Sequence, residues 1–551
     1  MFRFRSNAVI SHTRGAAAVI SWRPVQRQLT RQSTSIMQQI EEDGVFVPHN
    51  VSRNHGMVHV FAMDNLDWKK RTLEGGSFSA TIAIVIENPE RSVRRPSHKL
   101  DSVCFPTSSS DRRKTLSVIP ESVACVCHIS ASDKQKSISL SGTVDVKSLE
   151  TPSDNTAKEM LLIWRLGRQA KTSEWLDVPF EGESGLPGFS AFCARLLPHH
   201  EASQIGYLPL IPGPPTDPSL PRKEMIRLVQ TSQTLGDTWT VITGDQATYE
   251  LAVAIRDRHK DEFPKVVLLF GGFCQAHNYL KAICKILRDS GVEELLVSAG
   301  MCNEGTAKKM FGEKAVYCQS LHAIRILSEA FWHLYWEAFE RWASEEDIRQ
   351  WKSPIEKVLK VLLDDTADAT EQLQSIRACQ PRLAILQNQM LAFQKSLEDL
   401  PTALFCLNFL EMSDILHRFI YQQREGNWLG HFCESARMLP FHAAAGHFKY
   451  SQQSLPLYLF EMKRLPQTAP EVHEAMLNGA IVGRRADGHH NAVSPNMLLK
   501  QTYKADAKEE SAITLNIAAR TKWVYTKPVT VQLSAYPQDG ICSRPHTKQS
   551  T

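Results

Sequence analysis

The chain of 551 residues has no apolar run long enough to cross a membrane, and it carries little net charge. A transmembrane helix needs about 18 or more consecutive apolar residues. The apolar runs in this sequence are shorter and are interrupted by charged side chains. The net charge of +4 does not by itself predict binding to nucleic acid. The totals therefore predict a protein of ordinary globular composition that does not enter a membrane.

The 12 cysteines show no repeated spacing, so the sequence does not predict a disulfide framework. Cys125-Val126-Cys127-His128 is the densest group, and it could form half of a zinc site. No second CxxC or HxxxH motif lies at the spacing that would complete such a site. Scattered cysteines favour a reducing compartment, where they act as small buried hydrophobic side chains.

Residues 1–40 contain no acidic residue, although they carry six arginines. This composition is typical of a mitochondrial presequence, and equally of an unstructured basic segment without a targeting role. We therefore expect residues 1–45 to be poorly ordered. The predicted location is nuclear or cytoplasmic, with the mitochondrion as the alternative that the arginines suggest.

Asp245 stands at the centre of the most informative pattern in the chain. A β-branched and aromatic strand is predicted over 239–242, a helix over 247–258 and a second apolar strand over 265–270. Strand, helix and strand in this order predict a parallel βαβ unit. Ligands of open α/β sheets bind beyond the carboxyl ends of strands, where Asp245 falls. The alternative is that Asp245 only caps the helix that follows it.

A second acidic group follows another predicted strand. Residues 57–63 read as a buried strand that ends at Asp64-Asn65-Leu66-Asp67. Apolar side chains occupy every second position over 77–87, which predicts a strand paired with the first as a hairpin. A strand that ends in acids and continues into antiparallel strands is typical of the ribonuclease H-like sheet. An Asp-Asn pair at a strand end is also an ordinary turn.

The remaining patterns predict the division into domains and a helix-rich α/β fold with a mixed sheet. Residues 305–420 are predicted to be almost wholly helical, with long helices over 322–351 and 369–400. Their aromatic residues predict a hydrophobic core rather than a stacking platform for bases. The predicted parts are a basic N-terminal segment (1–45), an α/β core (46–300) with a polar insertion (88–157), an α-helical insertion domain (301–420), a C-terminal helical part completing the core (421–529) and a disordered tail (530–551).

Seven groups of short motifs occur in one order along the chain. They are Asp64-Asn65-Leu66-Asp67 with Thr72-Leu73-Glu74-Gly75 and Ser77-Phe78; Ile205-Gly206-Tyr207 with Pro209-Leu210-Ile211; Thr243-Gly244-Asp245-Gln246; Gly271-Gly272-Phe273; Gly300 with Gly305-Thr306-Ala307; Arg424-Glu425-Gly426-Asn427; and Ala445-Gly446-His447 with Tyr450. Together they resemble a large, functionally uncharacterised protein family found in many copies in invertebrate and fish genomes, where the copies look like relics of mobile elements. The resemblance covers about residues 38 to 525.

The resemblance implies a DDE-type transposase core with a ribonuclease H-like fold and a large helical insertion. In such a core the first Asp ends the first strand, the second ends the fourth, and a third acid lies on a helix beyond the insertion. Asp64 matches the first position and Asp245 the second, with Asp67 as a further candidate metal ligand. The implied cofactor is Mg²⁺ or Mn²⁺, which carboxylate oxygens hold for chemistry on phosphodiesters. The implied partner is DNA, and homo-oligomerisation is left open.

The third acid is where this sequence departs from the implied pattern. Lys500 occupies the position expected for a Glu, and Asn496 stands where an Asp is usual. A lysine cannot coordinate a metal ion, although it could pair with the two aspartates. Glu425 is the other candidate acid, with a structural role at a helix end as its alternative. No recognisable zinc finger or helix-turn-helix precedes Asp64, so the usual module for reading DNA sequence is not predicted.

These observations predict a transposase-derived protein whose nuclease and strand-transfer activity is weakened or lost. The first alternative is an active Mg²⁺-dependent nuclease or transposase that uses Asp64, Asp245 and Glu425. The second alternative is a helical scaffold that binds a protein partner, in which the acids are only helix caps.

Overall fold

The computed structural model describes residues 44–48, 51, 58–70, 76–88, 122–124, 143–145, 152–170, 172–173, 175–176, 186–196, 203–212, 219–312, 316–364, 367–484 and 492–504. Almost all of the predicted basic N-terminal segment, the cysteine group at 125–128 and the predicted tail lie outside these residues. The chain divides into two units. The sheet unit comprises residues 1–89, 202–268 and 495–551, and the helical unit comprises residues 90–201 and 269–494.

The strands of the described residues form two sheets. Their bounds are β1 Val60–Lys70, β2 Gly76–Glu87, β3 Ser122–Ala124, β4 Thr143–Asp145, β5 Gln204–Tyr207, β6 Ile211–Pro212, β7 Thr240–Gly244 and β8 Val266–Phe270. The larger sheet has the order β5-β2-β1-β7-β8, and β6 also pairs with β2. The β1–β2 and β2–β5 pairs are antiparallel, whereas β1 and β7 are parallel. The prediction of a mixed sheet in an α/β protein is therefore confirmed.

Helices account for most of the described chain, as the sequence predicted. Their bounds are α1 Pro152–Gln169, α2 Phe189–Leu196, α3 Ser219–Leu235, α4 Gln246–Arg258, α5 Gly272–Leu287, α6 Val292–Ser298, α7 Glu304–Met310, α8 Tyr317–Trp342, α9 Glu345–Arg349, α10 Lys352–Leu363, α11 Ala369–Ser396, α12 Pro401–Glu425, α13 Trp428–Arg437, α14 Leu439–Ala444, α15 Leu455–Thr468, α16 Pro470–Leu477 and α17 Pro495–Leu499. Two π-helical turns lie at Tyr450–Ser454 and Lys500–Lys504. Among the described residues, no helix is both long enough and apolar enough to span a membrane.

The hairpin of β1 and β2 is present, but β1 is longer than the sequence predicted. The strand continues past Asp64 to Lys70, so Asp64 lies inside β1 and not at its end. Asp64 pairs with Ile82 of β2, and the ladder extends to the pair of Lys70 with Gly76. The Asp-Asn pair therefore does not form a turn. Pairing along a neighbouring strand outweighs the local preference of these residues for turns.

The predicted C-terminal end of the long helix over 322–351 is also wrong. Helix α8 stops at Trp342, and Ser344 begins the short helix α9. The Ser344 side chain accepts a hydrogen bond from the Asp347 backbone N–H at 3.2 Å, which is the geometry of an N-cap. The stop follows from this capping serine, because its side chain replaces the backbone acceptor that a continuing helix would supply.

The helical unit has one large hydrophobic core built from α1, α2 and the helices α8 to α12. Trp336, Phe339 and Trp351 are fully buried in it, and their rings contact one another edge-on or tilted. Such aromatic pairs add to the stabilisation that burial of their area provides. The prediction that the aromatic residues of α8 form a core is confirmed for Trp336 and Phe339. Leu334 and Trp342 on the same helix are exposed.

A buried ion network joins α12 to α13 within the helical unit. The Glu434 carboxylate accepts hydrogen bonds from Arg418 Nε at 2.8 Å and from Arg437 Nη1 at 2.7 Å. All three residues are buried, and Glu434 is fully so. The two buried guanidinium groups thus share the Glu434 carboxylate, and Arg418 also lies 3.8 Å from the more exposed Glu411 carboxylate. An unpaired charge would be costly in this buried region.

Gly206 of β5 should be intolerant of a side chain. A Cβ atom at this position would lie 2.7 Å from a methyl or ring carbon of each of Pro48, Val51 and Val85. We expect Gly206→Ala to lower the free energy of unfolding by about 1–3 kcal/mol, the usual cost of overpacking. Urea denaturation followed by circular dichroism measures this loss. Gly305→Ala in the first turn of α7 is the control, because its Cβ would meet only the side-chain oxygen of Asn303 at 3.6 Å. Equal effects of the two variants would contradict the packing explanation.

Candidate functional site

Asp64 is a buried carboxylate in the middle of β1. Its side chain is 4% exposed, and its Oδ1 accepts a hydrogen bond from the backbone N–H of Asn65 at 2.8 Å. The strand around it is apolar, with Phe61, Ala62 and Met63 fully or nearly fully buried. An ionised carboxylate in such surroundings requires a cation or hydrogen-bond donors close to it.

Asp245 lies directly after β7 and caps helix α4. Its Oδ1 accepts a hydrogen bond from the Thr248 backbone N–H at 3.0 Å, so the predicted capping role is confirmed. Gly244 allows the close turn, because a Cβ there would lie 2.7 Å from Thr248 Cγ2. Capping uses one carboxylate oxygen, and the other oxygen faces Lys500. The two interpretations of Asp245 are therefore compatible.

The pairing of β1 with β7 places the two aspartates side by side. The parallel register aligns Val60 with Val241 and Ala62 with Thr243. Two residues further along both strands, Asp64 comes opposite Asp245. Neighbouring strands are about 4.8 Å apart, so the two carboxylates share one end of the sheet.

Lys500 brings an ammonium group to both carboxylates. Its Nζ lies 3.8 Å from Asp64 Oδ2 and 3.7 Å from Asp245 Oδ2. Asp64 Oδ2 and Asp245 Oδ2 therefore lie less than about 8 Å from each other, because both contact the same ammonium group. At a separation below roughly 8 Å, two carboxylates are close enough to share a pair of metal ions. The lysine thus pairs with both aspartates, as its charge predicts.

The position of Lys500 depends on the short helix α17 and the π-helical turn after it. Leu498 and Leu499 are buried in the sheet unit. Tyr503 anchors the turn, because its hydroxyl donates to the Leu208 carbonyl at 2.8 Å and its ring meets Tyr207 edge-on. The backbone that carries Lys500 is therefore fixed against the sheet at both ends.

The three charged groups do not fit a divalent cation as they stand. An ammonium group offers three donors and no acceptor, so Lys500 cannot replace a carboxylate ligand. Its positive charge lies where a metal bound by both aspartates would experience the strongest repulsion. Within the described part of the chain, no group of three or more His, Cys, Asp or Glu side chains is arranged to hold a metal ion. The arrangement of Lys500 between the two aspartates neutralises part of their negative charge without a metal ion.

The other predicted site residues have different positions. Asn496 is buried on α17, four residues before Lys500. Asp67 belongs to β1, and its side chain lies outside the described part of the structure. Glu425 belongs to the helical unit and is the last residue of α12, before the left-handed Gly426. The structure thus brings together Asp64, Asp245 and Lys500, and the roles of Asp67 and Glu425 remain predictions.

A buried histidine that the sequence did not single out fixes the start of β1. His59 Nδ1 donates to the Asp237 carboxylate at 2.9 Å, and Ser232 Oγ donates to the same carboxylate at 3.1 Å. His59 is fully buried, and its Nε2 lies 3.9 Å from Glu87 Oε2. The signal was a single histidine among the apolar residues of a predicted strand. These contacts hold the strand that carries Asp64.

Comparison with known proteins gives a family without an established activity. The family model described as a domain of unknown function, DUF8702, matches residues 188–547. No curated protein matches the chain. No solved structure matches it either.

Proposed function

The chain belongs to the DUF8702 family, and we propose that it is a transposase-derived protein with a ribonuclease H-like core that does not cleave DNA. Lys500 is the residue that blocks nuclease and strand-transfer activity in this proposal. The protein keeps the two aspartates of such a site, and the ammonium group of its own Lys500 neutralises part of their charge. Its partner in the proposal is DNA, which it binds without cutting.

The order of the strands supports a ribonuclease H-like core. Three antiparallel strands, β1, β2 and β5, come first along the main path of the sheet, and β7 and β8 follow on the other side of β1. In chain order, β1 with Asp64 is the first of these five strands, and β7, which Asp245 follows directly, is the fourth. The long helical segment enters after the fifth strand, and α17 with Lys500 comes after it. A DDE-type core arranges its first two acids, its insertion and its last acidic helix in this sequence.

The double pairing of Lys500 is the observation that carries the proposal. Asp64 is buried, and each aspartate has one oxygen facing the ammonium group. A divalent ion would have to displace the lysine from both carboxylates before it could bind. The displaced ammonium would still be attached to the same helix, and its repulsion of the metal would remain. Metal affinity at the site is therefore expected to be low.

An active Mg²⁺- or Mn²⁺-dependent nuclease is the second candidate, and one observation favours it. The distances from Lys500 Nζ to the two aspartates exceed the 2.7–3.2 Å of a direct hydrogen bond. The lysine side chain is also 25% exposed and that of Asp245 28%. A long and partly exposed lysine side chain can extend its ammonium group into solvent. Glu425 would be the third acid in that case.

Cleavage of labelled duplex DNA by the natural protein tests the proposal directly. We expect no cutting with Mg²⁺ or Mn²⁺ above the level of the Asp245→Asn variant, because the carboxylates do not hold metal. Both proteins should retain the circular dichroism spectrum of a folded chain. Cutting by the natural protein that disappears in Asp245→Asn would reject the proposal and establish the second candidate.

A further inference from the structure

The helical unit carries a surface with positive charge and an exposed aromatic ring. Helix α5 bears His277, Lys281 and Lys285 at intervals of four residues, so all three lie on one face of the helix. The opposite face is buried through residues such as Ile283 and Leu287. Lys281 and Lys285 therefore place two positive charges on this face of α5, and the His277 ring packs against Phe273 and Tyr317.

The loop after α14 lies beside this face of α5. Asn278 lies three residues before Lys281 and seven before Lys285, on the same side of α5, and it donates a hydrogen bond to the Tyr450 hydroxyl. On the buried side of α5, the ring of Tyr279 meets Phe441 and His442 of α14 edge-on, at 6.0 and 5.7 Å. Both ends of the segment between α14 and the first π-helical turn are thus attached to α5.

The charges on this surface are not balanced by acids. Residues 263–288 and 435–460, which supply the helix and the loop, contain no Asp or Glu. Within the described residues, no carboxylate forms an ion pair with Lys281, Lys285 or Lys449. Burial lowers the pKa of His447 to about 4, and the nearby Lys285 and Lys281 add to this effect. His447 therefore lies close to both lysines and is neutral at pH 7.

Phe448 stands in the middle of this loop and is 55% exposed. The loop that holds it has a defined conformation. Gly446 adopts a left-handed φ of 67°, and the His447 N–H donates to the His442 carbonyl at 2.9 Å. On the other side, Tyr450 stacks on His442 with ring centroids 4.9 Å apart. A single exposed apolar side chain is ordinary on a protein surface. Phe448 is a candidate contact because its exposed ring is next to Lys449 and belongs to the loop beside Lys281 and Lys285.

We propose that Lys281, Lys285, Phe448 and Lys449 form a docking surface for an unpaired strand of nucleic acid. The lysines contact phosphates, and the Phe448 ring stacks on a base. Single-strand binders combine these two elements, a positive groove and exposed aromatic rings. A duplex offers phosphates but no free base face. An anionic membrane is a poorer match, because stable membrane attachment needs more inserted apolar surface than one side chain provides.

This inference goes beyond the proposed function, since it uses none of the residues around Lys500. A protein with an active nuclease site and one with a blocked site would both show the predicted binding. Failure of the binding test would therefore leave the proposal about cleavage intact. Cleavage by the natural protein would likewise leave the proposed binding surface intact.

Fluorescence anisotropy with a labelled oligothymidylate of about 20 nucleotides tests the surface. We expect Phe448→Ala to weaken binding of this strand by about tenfold, and Phe448→Trp to retain it, because base stacking on one aromatic ring is worth about 1–3 kcal/mol. Binding of a duplex of equal length should change less than about twofold, which corresponds to about 0.4 kcal/mol. Leu334→Ala, which truncates another exposed apolar residue, is the control and should have no effect.

The lysines are tested through the salt dependence of the same binding. Lys281→Gln with Lys285→Gln should reduce the slope of log K against log salt concentration by about 1.4, since each phosphate contact on a single strand contributes about 0.7. Lys309→Gln with Lys395→Gln removes the same charge from other exposed positions and should leave the slope unchanged. Equal effects of the two pairs would overturn the proposal. So would equal losses of single strand and duplex in Phe448→Ala, or binding only to vesicles of anionic phospholipid that depends on Phe448.

Discussion

We expect Lys500→Glu to cut duplex DNA in the presence of Mn²⁺, and we expect no cutting by the natural protein. The substitution replaces the ammonium group by a third carboxylate beside Asp64 and Asp245, so the site changes from one that repels a divalent ion to one that binds it. Metal ions at such sites stabilise developing charge by several kcal/mol, which corresponds to a rate gain of about 10²- to 10³-fold. The measurement is cleavage of end-labelled duplex DNA with Mn²⁺.

Three further variants distinguish the effect of removing the positive charge from the effect of adding a metal ligand. Lys500→Gln removes the positive charge without adding a carboxylate, and we expect it to bind Mn²⁺ more tightly than the natural protein without reaching the activity of Lys500→Glu. Asp245→Asn in the Lys500→Glu background should abolish cutting. Asp67→Asn in the same background tests whether that residue contributes to the site. Mn²⁺ binding measured by calorimetry gives a readout that does not depend on DNA.

If Lys500→Glu binds Mn²⁺ no better than the natural protein and does not cut, the two aspartates are not the remains of a metal site. They would then serve only as a strand residue and a helix cap, and the helical scaffold would become the better explanation of the fold.

Glu434→Gln is expected to destabilise the helical unit by about 3–5 kcal/mol, because it removes the one charge that two buried arginines share. The amide has nearly the shape of the carboxylate, so loss of packing contributes little. Arg418 and Arg437 would keep their positive charges in a region without water. Urea denaturation followed by the fluorescence of the buried tryptophans measures the loss.

Glu329→Gln is the matched control for this prediction. Glu329 accepts a hydrogen bond from Arg168 at 2.6 Å, but both side chains are about two-fifths exposed. Exposed ion pairs contribute about 0–1 kcal/mol, so the same change of charge should have little effect here. A loss in Glu329→Gln comparable to that in Glu434→Gln would show that burial does not determine the cost. Little loss in either variant would mean that water reaches Glu434.

The sequence predicted the position of Asp245 between a strand and a helix well, because everything that defines this position is local. A β-branched strand, a glycine and a capping acid lie within a few residues of one another, and β7 and α4 begin or end within two residues of the predicted bounds. Asp64 was harder, because the extension of β1 to Lys70 depends on its ladder with β2. Local preference suggested a turn, and only the neighbouring strand reveals otherwise.

The meeting of Asp64, Asp245 and Lys500 could not be derived from spacing, since hundreds of residues separate them. It depends on the parallel register of β1 with β7 and on the anchoring of α17 by Tyr503. The end of α8 could have been predicted from the sequence, because Ser344 followed three residues later by Asp347 is a capping signal. The surface around Phe448 also left a signal, the absence of acids over 263–288 and 435–460, but its two halves come together only in the fold.

Lys500 follows the strands that carry the two aspartates late in the chain, so it is synthesised long after them. A ribosome completes β1, β2, β7 and β8 long before it reaches α17, and the residues between take roughly 10 to 45 seconds to translate. During that interval the nascent sheet lacks both the hydrophobic cover of Leu498 and Leu499 and the counter-charge for Asp64. Pairings between such distant segments also form slowly. We therefore expect the newly made chain to pass through a stage in which Asp64 and Asp245 lack their counter-charge and β1 lacks the cover of α17.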